Sequence, residues 1–162
     1  MAASLPADAW LPSYADILRR WLAEGRLARL PLSGLSMEPT MSPGVHLVLE
    51  ACAPDAIRAG DVVVYEDASG LICHRVLRRR LTADAPVLLT KGDRLRVPPA
   101  WVAATSVVGR VVALETPEGD RALTGPRERW RAYAAIGRSW LVLLARAVVG
   151  AMRRSMLAAR PA

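Results

Sequence analysis

The chain has 162 residues and a mass of 17.5 kDa, enough for one domain with a short appended segment, and its 52% hydrophobic content is ample for a core, built from Val, Leu and Ala because Phe is absent. The net charge of +7 sits at one end: residues 127–162 hold eight Arg against the single acid Glu128, leaving 14 basic and 14 acidic side chains in residues 1–126. Such a tail points to an anionic membrane surface and away from nucleic acid, and two cysteines exclude a disulfide framework.

Met1–Ala9 carries Asp8 and has no apolar core, so no secretory signal is expected and the chain is placed in the cytoplasm or at the periphery of the cytoplasmic membrane. Ser13–Ala28 reads as an amphipathic helix, capped by Ser13, with Ile17, Trp21, Leu22 and Leu27 at helical spacing and Arg19, Arg20 and Glu24 outward. From Leu30 to about Leu123 the pattern changes to short β-branched runs: Val45–Leu49, Asp61–Tyr65, Leu71–Leu77, Val87–Thr90 and Val107–Leu114. Turn signals at Pro43-Gly44, Ala59-Gly60, Ser69-Gly70, Gly92-Asp93 and Pro117–Gly119 bound them. The expected fold is mostly β, a small coiled sheet or barrel-like domain over residues 31–125. A helical segment (1–30) precedes it and a basic helical tail (126–162), in one or two helices after Pro126, follows. Within the tail, Ser139–Met152 is apolar but interrupted by Arg146, and no run of 18 apolar residues exists; this stretch is expected to lie in a membrane interface.

Three short motifs stand in order. Ser33-Gly34-Leu35-Ser36-Met37-Glu38-Pro39-Thr40-Met41 forms a turn ahead of the strands, Ile72-Cys73-His74-Arg75-Val76 lies in one, and Thr90-Lys91-Gly92-Asp93 ends another. Together they resemble the type I signal peptidase family, in the branch whose general base is histidine. The resemblance covers about Leu32–Val112. It implies a mostly-β peptidase fold with a groove that takes a peptide or preprotein as an extended strand, small pockets for residues such as Ala near the cleaved bond, and no cofactor. It also implies Ser36 as nucleophile, His74 as base and Asp93 as the third member. A hydroxyl needs a base to take its proton, and His supplies one near neutral pH. Ser33, Gly34 and Met37 are expected at the oxyanion site and groove, where turn amides stabilise developing charge.

The match departs from the family in four places. The hydroxyl donor often found two residues before the nucleophile is replaced by Gly34. No second aspartate follows in Arg94–Trp101, so either Asp93 acts or the site is a Ser-His dyad, with Asp61 as second choice for the acid. Lys91 reads as structural or as a minor base, and the family's membrane anchor before the serine is missing. His46, in the place of a family aspartate, reads as a surface or strand-edge residue. Cys73 reads as a small buried hydrophobe, and Cys52, Cys73, His46 and His74 have no metal-ligand spacing. A cytoplasmic leader peptide is one substrate compatible with the expected location. Two other readings stand beside the peptidase: a non-catalytic peptide-binding or membrane-associated module of the same fold, and a self-cleaving regulator with Ala59-Gly60 as its scissile bond.

Overall fold

A computed structural model describes residues 13–158 except 84 and 96, so the reading of Met1–Ala9 and the tail after 158 lie outside the described residues. The first helix, α1 (Tyr14–Ala23), starts where Ser13 predicts: its hydroxyl accepts from Asp16 N–H while the Asp16 carboxylate accepts from Ser13 N–H. It ends sooner than the pattern suggests, because Gly25 adopts φ +76° and turns the chain into a strand. The buried face is also offset from expectation. Ala15, Leu18 and Leu22 enter the core, while Ile17, Trp21 and Leu27 are about half exposed. Trp21 instead folds over the helix end, donating from Nε1 to Leu27 O (3.0 Å) under the Arg26 guanidinium.

Eight strands follow: β1 (Ala28–Pro31), β2 (His46–Glu50), β3 (Val62–Asp67), β4 (Gly70–Leu81), β5 (Pro86–Lys91), β6 (Ala100–Ala103), β7 (Val107–Thr116) and β8 (Gly119–Ala122). They form one antiparallel sheet in the order β1-β2-β7-β3-β4-β5-β6, with β8 on β7. The fold is mostly β, as the alternation predicts, and the sheet stays open between β1 and β6 instead of closing into a barrel.

Central β3 is buried on both faces, which its unbroken Val62-Val63-Val64-Tyr65 run anticipates. Val62 and Val64 join a core with α1, β1, β2 and β7; Val63 and Tyr65 join a second core with Ile57, Val76, Leu88 and Ala104. Bulges between Val48 and Leu49, Val64 and Tyr65, and Val76 and Arg78 coil the sheet.

The tail is one helix, α2 (Pro126–Ala158). Its first turns pack on the sheet domain: Ala132, Ala135 and Ser139 are buried, and Ala132 Cβ lies close enough to Gly60 that a β-carbon there would sit at 3.2 Å. From Trp140 onward the helix leaves the domain and Leu141, Leu144, Val148, Val149 and Met152 are exposed. Trp130–Met152 (23 residues) is long and apolar enough, by length and composition alone, to cross a membrane.

Candidate active site

Ser36 occupies the turn that leaves β1. Leu32 holds the start of this turn through N–H to Val45 O (2.9 Å) and through its own carbonyl, which accepts from Gly44 N–H (3.0 Å). Met37 and Met41 then drive into the first core, 0% and 2% exposed, while Thr40 and Met41 N–H both donate to Met37 O. Ser36 is therefore fixed by its neighbours' burial. Met37, expected in the groove, is a core anchor and does not line the cleft.

The third motif closes on this turn. Arg94 N–H donates to Ser36 O (2.9 Å), and a β-carbon at Gly92 would stand 2.6 Å from Ser36 O and 2.9 Å from Ser36 Cβ. Only glycine permits that approach. Arg75 pairs with Lys91 across β4 and β5, so Gly92 follows opposite His74, and the residue touching Ser36 stands beside the histidine. Two positions 38 residues apart in sequence are thus brought to one place.

Asp93 does something other than the resemblance implies. Its carboxylate, 1% exposed, accepts Arg75 Nε (2.9 Å) and Nη2 (2.8 Å) and the Thr40 hydroxyl (2.5 Å). The same guanidinium donates to Gly60 O (2.9 Å). One acid ties all three motifs and the β3 approach together, a bidentate buried pair of the strong kind. Among the described residues no hydrogen bond joins it to His74. Asp61, the second-choice acid, is engaged elsewhere: it accepts from Arg58 N–H (2.9 Å) and lies 3.6 Å from Arg110.

His74 is held instead by Tyr65. The phenol oxygen lies 3.2 Å from Nδ1, with the rings edge to face at 6.0 Å. Thr90 Oγ1 stands behind it, 3.5 Å from the phenol and 3.4 Å from Ala100 O. Burial lowers the His74 pKa below its usual 6.5, and the nearby charge of Lys91 adds to this while Asp93 and Asp67 oppose it. A neutral imidazole is the form a general base needs. Tyr65 was not expected at the site and Thr90 only opened the third motif; the one available signal for Tyr65 was a tyrosine inside a buried run, which needs a partner for its hydroxyl.

Ser33, Gly34, Ser36 and His74 line one cleft of about 720 Å³. Its walls are two strand edges: among the described residues β1 pairs only with β2, and the Gly70–His74 half of β4 pairs only with β3 because β5 joins β4 from Arg75 onward. Such edges offer unpaired backbone groups to an added strand. Gly34 faces open space, with nothing within 4 Å of a would-be β-carbon.

Other groups are less suited to chemistry. Cys73 also lines the cleft, but burial pushes its thiol up to about 12, so it stays protonated and poorly nucleophilic. Lys91 is buried; desolvation lowers its pKa, Asp93 opposes the shift, and Nζ donates to Gly92 O (3.2 Å). Exposed His46 lies at the start of β2, opposite Pro31. Among the described residues no group of three His, Cys, Asp or Glu side chains is placed to hold a metal ion. Comparison with known protein families and with curated proteins finds no match to this chain.

Proposed function

We propose that this chain is a serine endopeptidase of signal-peptidase type that cleaves a leader-like peptide through an acyl-enzyme on Ser36. The observation that carries the reading is the shared cleft: a serine in a glycine-flanked turn and a half-buried, neutral-leaning histidine, between two strand edges that are unpaired among the described residues. A substrate strand pairs with those edges, which sets its carbonyl against Ser36. His74 Nε2 takes the Oγ proton as Oγ bonds to the carbonyl carbon, and amides of the Ser33–Ser36 turn stabilise the oxyanion. Collapse breaks the C–N bond, and the proton held by His74 passes to the leaving amine. Water then loses a proton to His74 as it attacks the Ser36 ester, releasing a carboxylate and restoring the serine.

The site works as a Ser-His pair without a carboxylate on the imidazole, since Asp93 is engaged by Arg75 and Thr40. The self-cleaving alternative is disfavoured by where Ala59-Gly60 lies. Gly60 N–H donates to Val76 O (2.8 Å), its carbonyl is held by Arg75, and both residues line a different pocket under α2. The binding-module reading draws on one observation, the lack of a Ser36–His74 hydrogen bond among the described residues; catalytic hydrogen bonds often tighten only with substrate bound.

The exposed part of α2 supports a position for the enzyme at an anionic membrane surface. Trp130–Met152 is about 34 Å long at 1.5 Å per residue, yet Arg138 and Arg146 interrupt it, each costing about 3 kcal/mol at a bilayer centre. That favours a helix lying along the surface over one that spans. The whole reading is tested by reacting purified protein with a serine-directed phosphonylating probe and weighing it intact. A single adduct, lost in Ser36→Ala and His74→Ala, is expected; no adduct on folded protein in detergent or vesicles leaves the binding module.

A further inference from the structure

We propose that Tyr65, backed by Thr90, is the positioning residue that holds His74 in its Nδ1–H tautomer, standing where a carboxylate would stand in a triad. The inference rests on His74 serving as the base of the proposed peptidase. It follows from proton counting along a short chain of contacts.

Thr90 Oγ1 touches two oxygens, the Ala100 carbonyl at 3.4 Å and the Tyr65 phenol at 3.5 Å. A carbonyl only accepts, and a threonine hydroxyl has one proton. Both contacts are long for a hydroxyl, and both can carry a proton at once only if Thr90 donates to Ala100 O and accepts from Tyr65. The phenol proton then points at Thr90, so the phenol oxygen offers a lone pair to His74, 3.2 Å away, and Nδ1 must carry the proton. That leaves the lone pair on Nε2, the atom available to take a proton from Ser36. The opposite direction leaves the Thr90–Ala100 contact without a proton.

Burial makes the direction matter. Tyr65 is 3% and Thr90 1% exposed, so water cannot replace a missing partner. Burial also raises the Tyr65 pKa, which keeps the phenol neutral and its proton in place. The charged groups that bear on the imidazole are Lys91 at the end of β5, Asp93 just beyond it and Asp67 at the end of β3; Asp93 is already bound by Arg75 and Thr40. During acylation the Nδ1 proton stays on the ring, the Ser36 proton arrives at Nε2, and the phenol supports the resulting imidazolium as an acceptor.

The test separates orientation from catalysis. In ¹⁵N-labelled full-length protein above the histidine pKa, at about pH 8, long-range ¹H–¹⁵N spectra report which ring nitrogen is protonated, and His74→Ala assigns one of the two histidines. The expected result is Nδ1–H for His74 in the native protein and a shift toward Nε2–H in Tyr65→Phe, which removes only the hydroxyl. In the same variant Ser36 phosphonylation slows by about tenfold, the loss of one hydrogen bond. The acid limb of its pH–rate profile moves to lower pH, because the imidazolium loses an acceptor; a purely structural loss leaves that limb where it was. Thr90→Val gives a smaller change in the same direction. His74 found as Nε2–H in the native protein, or as Nδ1–H in both native and Tyr65→Phe, overturns the proposal. Native protein with the expected tautomer but no Ser36 adduct leaves the orientation standing and removes the peptidase.

Discussion

Replacing Asp93 by asparagine separates two roles for one carboxylate. As a triad acid, Asp93 would matter to rate and little to stability, with a loss near 10⁴ in turnover. The geometry assigns it to the scaffold: its side chain is 1% exposed, that of Arg75 is 5%, and three donors converge on its two oxygens. Asparagine keeps one acceptor but turns an NH₂ toward a guanidinium or a hydroxyl and leaves the Arg75 charge buried without a counter-ion. Removing one member of such a pair costs about 3–5 kcal/mol, a large share of the roughly 5–15 kcal/mol that a domain has. At about 3 °C per kcal/mol for a chain of this size, the melting temperature falls by about 10–15 °C. Urea unfolding followed by tryptophan fluorescence gives the free energy, and phosphonylation well below the midpoint gives the rate of the folded fraction. Arg75→Leu combined with Asp93→Leu should be less harmful than the two single losses added together, since the double change leaves no orphan charge. A loss below about 1 kcal/mol with acylation abolished would refute the scaffold role and restore the triad.

Gly92→Ala forces a β-carbon to 2.6 Å from Ser36 O, so it is expected to cost about 1–3 kcal/mol and to slow Ser36 labelling more than it lowers stability; normal labelling at native stability would contradict the contact. Gly34→Ser enters open space and adds a hydroxyl to the Ser36 turn, so under the proposed mechanism a rise in acylation rate of about tenfold or more is expected from an added oxyanion donor, read by the same probe. The lowered His74 pKa keeps the base neutral to lower pH than an ordinary histidine, so labelling is expected to fall at a pH below the usual 6.5, as pH drops through the folded-state pKa. Linkage has the matching sign: the unfolded chain binds this proton first, so stability declines as pH falls from about 6.5 toward the folded pKa, and His74→Ala removes that part of the decline in a urea series. A chain ending after Ser139 retains the buried contacts of Ala132, Ala135 and Ser139, and is expected to fold but to stop floating with anionic vesicles that the full chain binds; equal flotation would place lipid binding elsewhere.

Strands with strong β-branched runs were legible because alternation and burial agree there: β2, β3, β4, β5 and β7 fall on their predicted runs to within a few residues at each end. The missing ones are short or carry mixed residues. Ala28–Pro31 merges with the helix pattern, while Ala100–Ala103 and Gly119–Ala122 are strands only because a partner pairs them. On α1, sequence spacing gave the right period and one buried residue, Leu22, but placed Ile17 and Trp21 on the buried face, where Ala15 and Leu18 lie instead; Trp21 satisfies its indole outside the core. At the site, the motifs supply Ser36 and His74, which line one cleft, and Gly92, which meets Ser36. They did not reveal what Asp93 binds or what holds His74. Those depend on which face of β4 meets which residue of β3 and β5, and bulges at Val64/Tyr65 and Val76/Arg78 shift that register in ways no single-strand pattern records.

The two unpaired edges flanking the cleft, on β1 and on Gly70–His74, also set what the site leaves alone. A ladder accepts only backbone that is extended and whose own amides are unengaged. Helices and strands already paired in folded neighbours fail that requirement, and a proline at a donor position leaves a gap in the ladder. Discrimination then operates on the conformation of a few residues before any side chain is read. In the proposed peptidase, that requirement would spare folded proteins, because their paired strands and helices do not offer it a free strand.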